Sequence, residues 1–189
     1  MAVHLTRIYT RTGDAGTTAL GDMSRVPKAD ARVGAYADCD ETNAVIGVAI
    51  ACGGASERTS AVLQHIQNDL FDVGADLCTP IVDEPEYPPL RVTDEQVSRL
   101  EAWCDEFNAD LPKLASFILP GGSTASAYLH QARTVARRAE RSGWILAGSA
   151  PVNECALRYL NRLSDLLFIL ARVENPGGDV LWRPGGDRG

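Results

Sequence analysis

The sequence predicts an all-α fold, an up-and-down bundle of five helices behind an ordered N-terminal loop. Three observations predict it. From Lys28 onward the apolar residues recur at helical spacing in five segments, almost no segment alternates as a strand does, and alanines occupy several helix faces. The 189 residues suit one domain with a proper core, and no internal repeat divides them. We therefore read 1–189 as a single domain, with a loop over 1–28, the bundle over 29–173 and a tail over 174–189.

The elements follow in order. The first 28 residues are rich in Thr and Gly, carry Arg7, Arg11, Arg25 and Lys28, and lack a helical period. They predict an ordered loop with a short strand around residues 7–10, anchored by Ile8, Tyr9 and Leu20. Asp30 is the N-cap of a first helix that turns Ala35, Cys39, Val45, Ile46 and Ala49 inward and ends near Ala51, ahead of Gly53 and Gly54. A second helix covers about 57–77, with Val62, Leu63, Ile66, Leu70, Phe71 and Leu77 at helical spacing and His65 read as a core histidine. Pro80, Pro85, Pro88 and Pro89 make 78–92 a loop crossing the end of the bundle.

Thr93-Asp-Glu-Gln96 is a capping box, opening a third helix that runs to about Ala109. Phe117-Ile-Leu-Pro-Gly-Gly-Ser123 is a second special loop, and a fourth helix spans about 123–146. Pro151 suits the first turn of a fifth, ending near Val173. The Gly- and Pro-rich tail from Asn175 is expected to pack loosely.

Composition narrows the function. The formal charge is 18 − 25 = −7 and the sequence pI is near 4.9, which argues against a nucleic-acid or membrane-surface partner. Any anionic ligand must then be held by a local cluster of positive charge. The N-terminus has no apolar signal region, and no stretch approaches the ~18 apolar residues of a membrane span, so cytoplasm is the expected compartment. Five dispersed cysteines without a C-x-x-C pair read as reduced thiols. No H-E-x-x-H, E-x-x-H or G-x-S-x-G occurs and only His4, His65 and His130 are present, which excludes zinc hydrolases, di-iron bundles and the serine elbow.

What remains is positive charge and a glycine loop. On the fourth helix Arg133, Arg137, Glu140 and Arg141 fall within about 100° of one another, with His130 close to the same face and Arg138 adjacent in sequence. The stripe is either a solvated face with Glu140 as counter-ion or a clamp for a triphosphate-like polyanion, whose oxygens suit guanidinium forks. The fifth helix lines up Arg158, Asn161, Asp165 and Arg172, and the first presents Tyr36, Asp40, Asn43 and Gly47 along one face. Residues 10–18, Thr-Arg-Thr-Gly-Asp-Ala-Gly-Thr-Thr, have the composition of a phosphate cradle, but they do not match a Walker A motif.

Three blocks together resemble the PduO-type ATP:cob(I)alamin adenosyltransferases. They are Tyr9-Thr-Arg-Thr-Gly-Asp-Ala-Gly-Thr-Thr, extended through Lys28, Arg32, Ala35-Tyr36 and Asp40-Glu-x-Asn43; the 117–123 loop with Leu129-His-x-Ala-Arg133-Thr-Val-x-Arg137-Arg138-Ala-Glu140-Arg141; and Tyr159-Leu-Asn161-Arg-Leu-Ser-Asp165-x-Leu-Phe168. The resemblance implies a ferritin-like, five-helix bundle that forms a homotrimer with ATP at each subunit interface. It implies that Thr10, Arg11, Thr12, Gly13, Thr18 and Lys28 wrap the triphosphate, with Mg2+ on the phosphates and no metal ligands of the protein's own. Arg137, Arg138, Glu140, Arg141 and Asn161 complete the ATP site, Asp40 pairs with Arg133 across the interface, and Phe117 lies in the corrinoid site, where it displaces the lower ligand of cobalamin. Ala37, Cys39 and Thr42 depart from the family pattern, and Arg11 replaces a frequent lysine.

The implied reaction needs no protein nucleophile, since cob(I)alamin itself attacks C5′ of ATP and expels triphosphate. A reductase and an adenosylcobalamin-dependent mutase are the implied partners. The alternative reading is a non-catalytic carrier that binds nucleotide and cobalamin and delivers cofactor to a mutase.

Overall fold

The computed structural model describes residues 8–187; His4, Arg7 at the start of the expected strand, and Arg188 and Gly189 of the tail lie outside the described residues. Five helices carry the fold: α1 (Ala31–Gly53), α2 (Glu57–Cys78), α3 (Asp94–Asn108), α4 (Thr124–Ala147) and α5 (Glu154–Val173). Ahead of them stands a small antiparallel hairpin, β1 (Thr17–Ala19) with β2 (Arg25–Pro27), in which Thr18 faces Val26. The all-α expectation holds, but the strand is misplaced: residues 8–10 are irregular, and the strand falls instead on β1 and β2. The turn chemistry lies between them, where Leu20 N–H donates to Ser24 O at 2.8 Å and Asp22 Oδ1 accepts from Ser24 N–H at 3.0 Å.

Side-chain caps set where helices start. Asp30 accepts from Arg32 N–H at 2.8 Å, Ser56 from Thr59 N–H at 3.3 Å, and Ser123 from Ser126 N–H at 3.0 Å. Gln96 Oε1 closes the α3 capping box on Thr93 N–H at 3.0 Å. The expected start of α5 moves: Pro151 precedes the helix, and Asn153 caps it through Cys155 N–H at 3.1 Å. Gly54 ends α1 with φ 68°, the left-handed C-cap that a glycine adopts without strain.

Helix α4 packs most extensively on α1 and then on α5, α2 lies against α1, and α3 lies against α5. Alanines at 35 and 49 of α1 and at 132, 136 and 139 of α4 are fully buried and bring the axes close. Leu160, Leu163, Leu167 and Leu170 of α5 fill the centre. At Gly143 a Cβ would stand 2.5 Å from Leu157 Cδ2, so a larger residue at this α4–α5 contact must displace the end of that leucine. Burial pushes the Cys39 thiol up to about 12, making it an inert part of this core.

Two buried carboxylates tie α2 to its neighbours. Asp69 accepts from Tyr159 Oη at 3.0 Å and from Arg99 Nη2 at 2.9 Å. Asp76 accepts from Arg91 Nη1 at 2.6 Å, from Val92 N–H at 2.7 Å and from Asn153 Nδ2 at 2.7 Å, and so pins the proline-rich crossing segment to the start of α5. His65 is exposed rather than core. Leu63, Ile66 and Leu70 take the inward positions of α2, leaving His65 on its flank, edge-on to Trp103 at 5.3 Å. Asn43 is also committed, exchanging hydrogen bonds with Gln67 across α1 and α2 at 2.9 and 3.2 Å. Among the described residues no helix is long and apolar enough to cross a membrane.

Candidate active site

The glycine loop is held by a residue that the sequence reading did not single out. Arg25 on β2 reaches back, and its Nη2 donates to Thr12 O and Thr17 Oγ1, both at 2.7 Å. Thr10 Oγ1 and Thr12 Oγ1 lie 2.9 Å apart, and Lys28 N–H donates to Gly16 O at 2.9 Å. A Cβ on Gly13 would come within 3.1 Å of Lys28 Nζ, so the bare glycine lets the lysine ammonium lie over the loop. Arg11 takes φ 62°, a left-handed conformation that costs a non-glycine residue about 1 kcal/mol or more and recurs at functional sites. Thr10, Arg11, Thr12, Gly13 and Lys28 are thus brought together. Thr18 lies on β1, opposite Val26 of β2.

The arginine stripe divides. Arg137 and Arg141 are exposed and form no ion pair among the described residues. They line a cleft of ≈ 540 Å³ together with Glu140, Arg138 and Trp144. Glu140 does not act as their counter-ion: its Oε1 accepts from Asn161 Nδ2 at 3.0 Å, joining α4 to α5. Arg138 lies about 100° further round the helix and turns to α1, where Nε meets Asp38 at 3.3 Å and the head bonds Glu41. Within the chain Arg138 is an α1–α4 tie, so the expectation that it completes the ATP clamp meets a charge that is already engaged.

Asp40 and Arg133 do not meet within the chain. Asp40 is exposed on the side of α1 that carries Asn43 to α2, whereas Arg133 shares the side of α4 that carries Glu140 to α5. Burial, then the Arg137 charge, holds the Arg133 pKa below its ordinary value.

Arg133 also stands between two clefts. One of ≈ 600 Å³ runs past Lys113, Arg137 and Asp165. The other, of ≈ 720 Å³, is lined by Phe117, Ile118, His130, Phe168 and Trp182. Phe117 is 80% exposed, so the core is not its role. The tail, expected to be loose, holds it. Trp182 N–H donates to Phe117 O at 2.7 Å and Leu119 N–H to Val180 O at 2.8 Å. The Phe117 and Trp182 rings meet edge to face at 6.2 Å. Arg172, 7% exposed, clamps the tail through Asp179 at 2.8 Å and Pro112 O at 2.7 Å. Gly122, at φ 98°, lets Asn175 pass where a Cβ would stand 2.5 Å from its Oδ1. Trp182 was not anticipated because its partner Phe117 is distant in sequence, and Arg25, read only as one of the loop's basic residues, acts through a hairpin that the sequence did not predict.

A family model described as cobalamin adenosyltransferase matches residues 8–174. The chain belongs to this family. It is 66% identical over 190 residues to the corrinoid adenosyltransferase of Mycobacterium tuberculosis (strain ATCC 25618 / H37Rv), covering 100% of this chain and 98% of that one. It is 50% identical to the cobalamin adenosyltransferase of Cupriavidus metallidurans, covering 97% of both. Among solved structures it superposes on a variant PduO-type ATP:corrinoid adenosyltransferase from Lactobacillus reuteri complexed with cobalamin and ATP. The TM-score is 0.87 with 36% identity, over 94% of this chain and 100% of that chain. The resemblance read from the three sequence blocks is therefore that of a true member.

Proposed function

We propose that the chain transfers the 5′-deoxyadenosyl group of ATP to cob(I)alamin, giving adenosylcobalamin and triphosphate. The observation that carries this reading is an exposed aromatic pair, Phe117 and Trp182, in one cleft with Arg133, which a second cleft links to the uncompensated Arg137. A flat apolar macrocycle and a polyanion are the two kinds of ligand such a surface fits. In the reaction a Co–C5′ bond forms, the C5′–O bond breaks, and its electron pair leaves with triphosphate. Arg137, Arg141 and Lys28 stabilise that departing charge electrostatically. Phe117 excludes the lower ligand from cobalt, which makes the cob(II) form easier to reduce.

None of the loop residues 10–18 lines the cleft over Arg137 and Arg141. A second copy of the chain completes each ATP site in this reading, with Asp40 of one subunit on Arg133 of the next, in a homotrimer. Magnesium is expected on the phosphates of the nucleotide, whose oxygens together with water suit this hard cation. Five free thiols suit a reducing cytoplasm, where a reductase supplies cob(I)alamin and a mutase receives the product.

Product analysis tests the reaction. With chemically reduced cobalamin, the expected phosphorus product is intact tripolyphosphate in equal amount to adenosylcobalamin; inorganic phosphate as the primary product overturns the assignment. A carrier would bind both ligands and release neither product. For the wedge, Phe117→Ala is expected to bind ATP normally while the lower-ligand-off signal of bound cob(II)alamin, read by absorption or paramagnetic resonance, falls several-fold. An unchanged spectrum overturns the wedge role.

A further inference from the structure

Two residues that line the aromatic cleft each carry a buried polar atom that the described residues leave without a partner. His130 is 3% exposed, and its Nδ1 is buried with no hydrogen bond among the described residues; Arg133 Nε, one turn along α4, is in the same state. Native structures rarely leave such groups unmet, and each one calls for an explanation. The other strongly buried polar groups nearby are served: Ser164 Oγ donates to Asn161 O at 2.9 Å, Ser126 Oγ to Gly121 O at 2.7 Å, and Arg172 to Asp179. Both orphans belong to residues lining the cleft that holds Phe117 and Trp182.

Their chemistry is complementary. Arg133 Nε–H can only donate. The His130 ring packs edge-on to Phe168 at 6.0 Å, and burial followed by the Arg133 charge lowers its pKa, keeping the imidazole neutral and able to accept at one nitrogen. A group that offers one acceptor and one N–H side by side satisfies both atoms, and a primary carboxamide is that group. The rim of a corrin ring carries primary amides. We propose that His130 and Arg133 together bind one peripheral carboxamide of the corrin ring, His130 Nδ1 accepting from the amide nitrogen and Arg133 Nε donating to the carbonyl oxygen. The inference rests on the proposed function, since it takes a corrinoid as the ligand of this cleft. It makes His130 a corrinoid-binding residue that sets the ring over Phe117. The terminal nitrogens of Arg133 stay available to Asp40 of a second copy.

Anaerobic titration of the ATP-loaded protein with cob(II)alamin, followed by absorption, tests the inference. His130→Leu removes the acceptor at similar volume and is expected to weaken cob(II)alamin binding about tenfold, with the ATP dissociation constant and the melting temperature unchanged. His130→Asn, whose amide falls near the Nδ1 position, is expected to recover most of that loss. Cob(II)inamide lacks the nucleotide tail but keeps the rim amides, so it is expected to show the same loss in His130→Leu. Equal cob(II)alamin affinity in wild type and His130→Leu overturns the inference. So does a loss that Asn does not restore, one that extends to ATP, or one that is absent for cob(II)inamide. A wild-type protein that binds no cob(II)alamin at all overturns the proposed function itself, and the inference with it.

Discussion

Asp40→Asn is expected to lower kcat/KM for cobalamin adenosylation by about two to three orders of magnitude, and Arg133→Ala by at least as much. Breaking a buried pair by removing one partner leaves an uncompensated charge, at a cost of roughly 3–5 kcal/mol, and each 1.36 kcal/mol is about tenfold in rate. Within one subunit the two side chains lie on different sides of the bundle, and Arg133 is half-buried with a depressed pKa, so it is already partly desolvated. Such an arginine gains most from a carboxylate brought by a second copy. The double variant is expected to be no worse than Arg133→Ala alone, because both changes remove the same contact. A double-mutant cycle on turnover, with the oligomeric state followed by light scattering, decides it: additive losses refute the interface pair.

Asp76→Ala is expected to destabilise the fold by about 3–5 kcal/mol, lowering the melting temperature by on the order of 10 °C. The carboxylate is 1% exposed and accepts from Arg91, Val92 N–H and Asn153. Its loss leaves Val92 N–H without its acceptor, removes the charged partner of Arg91 and takes one of the two acceptors of Asn153 Nδ2, the residue that caps α5. Arg58→Ala makes the control. Its bond to Glu106 is as short, 2.5 Å, but both side chains are more than half exposed, at 57% and 54%, and such pairs contribute about 1 kcal/mol or less. Calorimetry on the two variants compares them, and equal shifts would show that burial does not set the difference.

How much of the candidate site is legible in the sequence follows the distance between contacting residues. Phe117, Arg137 and Arg141 stand out in the sequence because each announces itself locally: a lone aromatic before Leu-Pro-Gly-Gly, and arginines at helical spacing. Arg138 looked equivalent to Arg137 until its partners were known, and those lie 97 and 100 positions away on α1. Trp182 was read as part of a loose tail because its tie to Phe117 crosses from the end of the chain to the α3–α4 loop. His65 was taken for core because it sits in an apolar helix, beside the buried Ile66, and a 100° difference in phase reverses a residue's exposure.

By itself the sequence determined the helices, several of their starts and the family. Asp30, Thr93 with Gln96, and Ser123 act on backbone groups two or three residues away, and apolar spacing repeats every 3.6 residues, so a short window of chain contains the whole cause. Only the tertiary structure decided which charges are spent and which are free. Arg25 locks the glycine loop, Arg138 is consumed by α1, Arg172 fastens the tail, and Arg137 and Arg141 are left uncompensated. Arginine is the same residue in all five places. Its role depends on which carboxylate or carbonyl the packing carries within about 3 Å, a short-range interaction that no local pattern encodes.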